Sequence, residues 1–345
     1  MRCCCDCSYS KDNATVKASL GWQRLGSISK TMQRIDTFLV EHDFVESREQ
    51  AKRLILAGEV SVNGNTQIKP GQHVPAGAKV VVKHQQKYVS RGGLKLEKAL
   101  HIFDVNVQNR VALDVGASTG GFTDCLLQHG AKFVYAVDVG YGQLAWKLRK
   151  HPQVQTIDRT NIRHLTPAFL RTAALNDSEN FISVAVIDVS FISLRTVLPS
   201  VIKLLTQQNS RQSSAVSRQQ GDSGLTNNLL TDSRQPIADS HYDIIALLKP
   251  QFEAGKAYVK KGGIVSDKQV HIQTIDNLSA FITEKLGAVV MGITYSPIHK
   301  DIGNIEYLLW LTIDLDSQAH DPADCLQPQQ ATAEIVGKAH AAFES

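Results

Sequence analysis

The chain has 345 residues, 43% of them hydrophobic, and a formal net charge of +4. That length accommodates one large α/β domain plus a small module, and the composition suits a water-soluble core. No apolar run reaches the roughly 18 residues a membrane span needs, and the near-balanced charge neither demands nor forbids nucleic acid.

Residues 1 to 31 are polar and aperiodic. They read as a disordered extension outside the fold, with Met32 as an alternative start. Cys3, Cys4, Cys5 and Cys7 crowd this end, whereas Cys125 and Cys325 stand far apart. This is not a disulfide framework, and it is the cysteine usage of a cytoplasmic protein. The cluster also lacks the downstream ligand pair of a zinc site, so no metal is expected.

From Arg34 the pattern turns helical. Ile35, Phe38 and Leu39 fall on one face. Ser47 is placed to cap a second helix that buries Ala51, Leu54 and Ile55 and turns Arg48, Lys52 and Arg53 elsewhere. Gly58 ends that helix, Val60 and Val62 alternate as a strand, and Asn63-Gly64 signals a hairpin turn. Further short strands are expected near Ile68 and at residues 80 to 82. By themselves Arg48, Lys52 and Arg53 read as a solvated helix face. A basic connector follows, with Lys83, Lys87, Arg91, Lys95 and Lys98 opposed only by Glu97 and a bend at Gly92-Gly93 before a helix near Leu94.

The remainder alternates strands and helices. Strands are expected at Val111–Val115, Phe133–Val137, and residues 154 to 156, 183 to 187, 244 to 248, 288 to 293 and 307 to 312, with a helix over 122 to 127. Such alternation implies an α/β fold with a doubly wound, mainly parallel sheet. Residues 206 to 240, rich in Ser, Gln, Asn and Asp, read as a flexible insertion. Residues 315 to 345 read as a tail ending in one short helix. The expected organisation is a small α+β module over 32–83, a linker over 84–93 and a larger Rossmann-like domain over 94–314.

The strongest local signal is the strand-to-helix turn Asp114-Val115-Gly116-Ala117-Ser118-Thr119-Gly120-Gly121-Phe122. In an open α/β sheet such a turn places a ligand at the strand carboxyl ends. Ser118 occupies the position where a dinucleotide site needs a glycine for close pyrophosphate approach, and Asp114 suits a cation better than a phosphate. A sulfonium ligand meets both conditions. Asp138, at the end of the next strand, has the spacing of a carboxylate that grips ribose hydroxyls. Three more charged residues, Asp188, Lys249 and Glu306, sit at predicted strand ends, and Lys95 precedes the sheet.

The stretch over residues 34 to 83 resembles the S4 RNA-binding domain, carried by Ser47-Arg48, the run from Ala51 to Ile55, and the run from Gly58 to Gly64. From Arg34 to Thr312 the chain resembles the TlyA family, ribosomal RNA 2′-O-methyltransferases with an S4 domain fused to an FtsJ-like domain. Its motifs here are Ser90 to Leu96, Asp114 to Thr123, Asp138 to Leu144, Thr160 to Arg163, Asp188 to Leu194 and Lys249 to Glu253.

The resemblance implies S-adenosylmethionine as cofactor, held by Asp114, Gly116, Ala117, Ser118, Thr119, Gly120, Gly121, Phe122, Asp138 and Asn161. It implies a catalytic tetrad of Lys95, Asp188, Lys249 and Glu306, with Lys249 as the base. It implies ribosomal RNA or ribosomal subunits as partner, with Arg48, Lys52, Arg53 and Arg91 contacting RNA. The family often carries glycine where Lys300 stands. Two other classes compete, a membrane-active haemolysin and a non-catalytic RNA-binding assembly factor. The absence of a spanning segment counts against the first, and the cofactor loop against the second.

Overall fold

The computed structural model describes residues 24–27, 32–42, 44–45, 47–82, 87–173, 181–209, 241–298, 303–314 and 328–344. These divide into two units, residues 1–87 and 88–345. The cysteine cluster at 3 to 7 and Lys300 lie outside the described residues.

The first unit runs β1 (Arg24–Ser27), β2 (Gln33–Arg34), α1 (Ile35–Glu41), α2 (Arg48–Leu56), β3 (Val60–Val62), β4 (His73–Val74) and β5 (Lys79–Val82). The helical spacing of Ile35, Phe38 and Leu39 puts all three in one core with Ala51, Ile55, Val60, Val80 and Val82. Ser47 Oγ accepts the Gln50 amide at 3.2 Å and caps α2. Asn63 and Gly64 both adopt positive φ, +50° and +84°, as a tight hairpin turn demands.

Two expectations are corrected in this unit. Residues 24–27, assigned to a disordered extension, instead pair antiparallel with β5 and extend the sheet β1-β5-β3. Ile68 is buried but lies in irregular chain, because the following Lys69-Pro70 segment turns (Gln72 N donates to Lys69 O at 2.9 Å) before any ladder can form.

The second unit runs α3 (Gly92–Phe103), β6 (Val111–Val115), α4 (Gly121–Gln128), β7 (Phe133–Val137), α5 (Trp146–Arg149), β8 (Val154–Ile157), α6 (Pro167–Ala173), β9 (Ile182–Ile187), α7 (Leu194–Asn209), β10 (His241–Leu248), α8 (Pro250–Glu253), α9 (Lys268–Leu286), β11 (Val289–Tyr295), β12 (Tyr307–Asp314) and α10 (Pro328–Glu344). The seven strands form one sheet in the order β11-β12-β10-β9-β6-β7-β8. Every described pairing from β10 to β8 is parallel, and β12 runs antiparallel to both of its neighbours. The chain winds outward from β6 to β8, returns to β9 beside β6, and winds the other way. Strand order therefore reverses between β6 and β9, where such sheets open a crevice.

Side chains on successive strand residues point to opposite faces. Ala112, Val134, Val184, Val186, Ile245 and Leu247 pack under α3 and α4. Leu113, Val115, Ala185, Ile187, Ile244 and Ala246 pack with Leu198, Val201, Ile275, Leu278, Val336 and Ala339 from α7, α9 and α10. The result is three layers with helices on both faces of the sheet.

The structure revises three boundaries. Helix α3 begins at Gly92, and the preceding segment is no free linker: Tyr88 is buried, and Val89 N donates to Asp124 Oδ2 at 2.8 Å. Helix α7 carries residues 206–209, the first part of the expected insertion, since Leu204 and Leu205 still bury its apolar stripe. The expected tail holds a helix of 17 residues, α10, docked on the core through Val336 and Ala339.

Candidate active site

Parallel strands put all their carboxyl ends on one edge, and a reversed strand puts its amino end there. Asp188 follows β9, Lys249 follows β10, and Glu306 precedes the reversed β12, so residues scattered over more than a hundred positions arrive at the same edge. Lys95 projects from the first turns of α3.

These four residues form two ion pairs. Lys95 Nζ lies 2.5 Å from Glu306 Oε2. Lys249 Nζ lies 2.8 Å from Asp188 Oδ1 and donates to Ser190 Oγ at 2.8 Å. Lys95, Lys249 and Glu306 are each no more than 8% exposed. Charges so poorly hydrated are tolerated only when paired. All four line one cleft of about 320 Å³, together with the backbone of the turn after β6.

That turn depends on small residues. Gly116 has φ +84°, and a Cβ there would sit 2.5 Å from the Asp188 carbonyl oxygen, so a side chain would force the two strand ends apart. Gly121 opens α4, and a Cβ there would sit 2.3 Å from Ser90 Oγ and 2.9 Å from the Gly93 nitrogen. Gly116, Ala117, Ser118, Thr119, Gly121 and Phe122 all line the cleft.

Asp114 lies beneath this floor, fully buried. Its Oδ2 accepts the Thr123 hydroxyl at 2.6 Å, and its Oδ1 has no hydrogen-bond partner among the described residues. Burial, with repulsion from Asp188 and Asp138, pushes its carboxyl up to about 7. An unpartnered acceptor held among carboxylates fits a ligand that brings positive charge.

The remaining expected cofactor residues stand outside the lining. Gly120 packs its α-carbon toward Leu148 and Leu144. Asp138 accepts the Ser118 amide at 2.8 Å and the Gly140 amide at 2.7 Å, so its carboxylate shapes the loops after β6 and β7. Asn161 accepts the Arg163 amide at 3.1 Å and caps the short helix Ile162–His164.

Of the expected RNA contacts, Arg91 lines the cleft. Lys52 and Arg53 are exposed on α2. Arg48 instead spends part of its charge on the buried Asp36, at 3.0 Å, beside Arg34 at 2.8 Å. The Arg34 hydrogen bonds, and then those of Arg48, hold the Asp36 carboxyl far below the usual range. Ser90, Gly92, Ser190 and Ile298 also line the cleft and were missed as site residues. Ser190 was recoverable from sequence, since it lies two residues past Asp188 in the same motif. Ser90 and Gly92 were recoverable in the same way, from the Ser90 to Leu96 motif, whereas Ile298 carries no chemistry that a sequence reading would single out.

The match to a known family is decisive. The FtsJ-like methyltransferase family covers residues 88–313, which is the whole sheet and its cleft. The chain belongs to the FtsJ-like methyltransferase family. The S4 domain family covers residues 33–80 of this FtsJ-like enzyme. Bacillus subtilis YqxC, whose name provisionally assigns it rRNA methyltransferase activity, is 40% identical over 309 residues, 89% of this chain and 94% of that protein. The 16S/23S rRNA (cytidine-2′-O)-methyltransferase TlyA of Mycobacterium tuberculosis is 38% identical over 285 residues, 82% of this chain and 91% of TlyA. A solved Streptococcus thermophilus structure, provisionally named a hemolysin, is 36% identical with a TM-score of 0.59, covering 92% of this chain and 98% of its own. No described helix of this FtsJ-like enzyme is long and apolar enough to cross a membrane.

Proposed function

We propose that this enzyme methylates the ribose 2′-hydroxyl of ribosomal RNA, at cytidine, in the cytoplasm. The observation that carries the proposal is that two lysine–carboxylate pairs, both lysines buried, open onto the same cleft as the glycine turn after β6. The cofactor is S-adenosylmethionine, which supplies an already activated methyl group as a sulfonium. Residues 116 to 122 would hold it above Asp114.

The chain's own residues then act on the sugar. A hydroxyl is a poor nucleophile until its proton leaves, and Lys249 is the candidate acceptor for that proton. Asp188 and Ser190 fix the direction of the amine. The Lys95–Glu306 pair lines the cleft without needing to exchange a proton. It presents one ammonium and one carboxylate to orient the ribose, and positioning carries much of the rate when the methyl donor is already activated. A well-placed base contributes roughly 10²- to 10⁴-fold. The S4 unit, through Lys52 and Arg53, would add substrate affinity by neutralising phosphates.

Lys249→Ala should slow methyl transfer to isolated ribosomal subunits roughly 10²- to 10⁴-fold, leaving a measurable residual rate, while binding cofactor with unchanged affinity. Near-normal turnover in that variant would remove Lys249 from the base role. Retained RNA affinity after deletion of residues 34 to 83 would remove the S4 unit from substrate binding.

A further inference from the structure

Two segments carry the Lys249 cluster, the loop 188–193 after β9 and residues 249–253 after β10, which run into the short helix α8. They touch at three places. At one end Lys249 reaches Asp188 and Ser190, each at 2.8 Å. In the middle, the Phe191 and Phe252 rings pack with centroids 5.3 Å apart. At the far end Glu253 grips the other loop with both oxygens: Oε2 accepts the Ser193 hydroxyl and Oε1 the Leu194 amide, each at 2.6 Å.

Leu194 is the first residue of α7, so the Glu253 carboxylate caps a helix of 16 residues from another segment. A helix start offers unpaired N–H groups and partial positive charge, which favours an anion there. The first loop also contains an energetically costly feature. Phe191 has φ +66°, which a bulky L-residue rarely adopts, and it is 90% exposed. Such a conformation persists only where its surroundings hold it. The Glu253 clasp supplies that restraint within two residues of the strained position.

We propose that Glu253 is a positioning residue for methyl transfer: by tying the start of α7 to the chain after Lys249, it holds Asp188 and Ser190 against the Lys249 amine. The inference rests on the reading of Lys249 as the proton acceptor. Glu253 does not line the main cleft, so its effect would pass through Lys249 and not through the substrate. Burial raises the Glu253 carboxyl, and the hydrogen bonds from Ser193 and Leu194 oppose that rise.

The test is a double-mutant cycle with the full chain, read as single-turnover methyl transfer to ribosomal subunits alongside S-adenosylmethionine titration. Glu253→Ala should lower the methyl-transfer rate about 10- to 100-fold, with cofactor affinity within twofold and one cofactor bound per chain. Glu253→Gln, whose amide can still accept from Leu194 and donate to Ser193, should recover to within threefold. Added to Lys249→Ala, the Glu253→Ala change should cost nothing further, because its target amine is gone.

A Glu253→Ala rate within threefold of the parent chain would overturn the proposal, as would a loss that multiplies fully onto Lys249→Ala. A rate loss matched by an equal loss of cofactor stoichiometry would also overturn it, by showing an unfolded site. If Lys249→Ala itself stays active, the base assignment fails separately, and the cycle still reads whether Glu253 acts through that amine. Should Glu253→Ala not fold, Ser193→Ala removes one arm of the clasp, and an unchanged rate in that variant is equally fatal.

Discussion

Lowering the pH from 7 to 5 should weaken cofactor binding roughly 50-fold through Asp114 alone. Its carboxyl, ordinarily near 3.8, rises to about 7 in the unliganded protein because it is fully buried and faces Asp188 and Asp138. A rise of that size corresponds to ~4 kcal/mol of preference for the protonated form. A cationic ligand at this turn rewards the ionised form and draws the value back toward 3.8. Binding below pH 7 must then expel a proton, and affinity falls about tenfold for each pH unit until the ligated group itself titrates. The sign for the empty protein is the reverse. A raised carboxyl favours the fold at low pH, and that contribution fades as the pH climbs from about 4 to about 7. Isothermal titration with S-adenosylmethionine at pH 6, in two buffers of different ionisation enthalpy, should report close to one proton released per cofactor bound. Asp114→Asn should bind weakly and with no pH slope. A parent affinity constant between pH 5 and 8, or an Asp114→Asn variant with the parent's slope, would refute the reasoning.

Gly116→Ala should abolish cofactor binding, because the added Cβ meets the Asp188 carbonyl oxygen at 2.5 Å and the backbone there has φ +84°; a titration with parent affinity would contradict this. Asp36→Ala should destabilise the first unit by about 1 to 3 kcal/mol, since its buried carboxylate takes hydrogen bonds from Arg34 and Arg48 and both guanidiniums stay partly hydrated. Because that carboxyl is held far below its ordinary value of 3.8, its contribution is full above about pH 4 and is lost progressively only below it, so urea melts of parent and Asp36→Ala should differ clearly at pH 7 and much less at pH 2. Buried His271 is bonded to Val265 O and to the Tyr307 hydroxyl, at 2.8 Å each, and lies 3.3 Å from His340 of α10. Burial and then the His340 charge lower its value, so docking of α10 should weaken as the pH falls through the ordinary histidine range, seen as smaller hydrogen-exchange protection factors in residues 328 to 344 at pH 5 than at pH 8, after correction for the intrinsic pH dependence of exchange. Lys52→Ala and Arg53→Ala should each reduce the salt dependence of RNA binding by about one unit of log–log slope.

Much of this molecule is readable along the chain because its signals are local. Ser47 caps α2, Asn63-Gly64 turns with two positive φ angles, and the run from Asp114 to Phe122 leaves a strand for a helix, all within a few residues of sequence. The strand-end positions of Asp188, Lys249 and Glu306 are local too, and the topology of a doubly wound sheet brings them together. What the sequence hides is pairing across distance. Nothing near Lys95 announces Glu306, 211 positions away, and nothing near Arg48 announces that Asp36 takes a share of its charge. Asp138 has the spacing of a ligand-gripping carboxylate, yet two backbone amides bind it, one of them from a loop 20 residues earlier. Strand β1 was missed because four residues of RLGS carry no alternation of their own and are ordered by pairing with the valines of β5. Helix α10 was underestimated because its alanine-rich stripe, with Ala339 and Val336 buried, is weakly apolar and gains its place by packing on α9 and β11.

The central claim is a transfer to a ribose oxygen governed by Lys249. The most direct measurement is to incubate the chain with isotopically labelled S-adenosylmethionine and undermethylated ribosomal subunits, digest the RNA, and identify the labelled nucleoside by mass spectrometry. The account predicts label in 2′-O-methylcytidine with the parent chain and a rate of labelling roughly 10²- to 10⁴-fold lower with Lys249→Ala. Label on a base, or the same ribose label from both proteins, would contradict it.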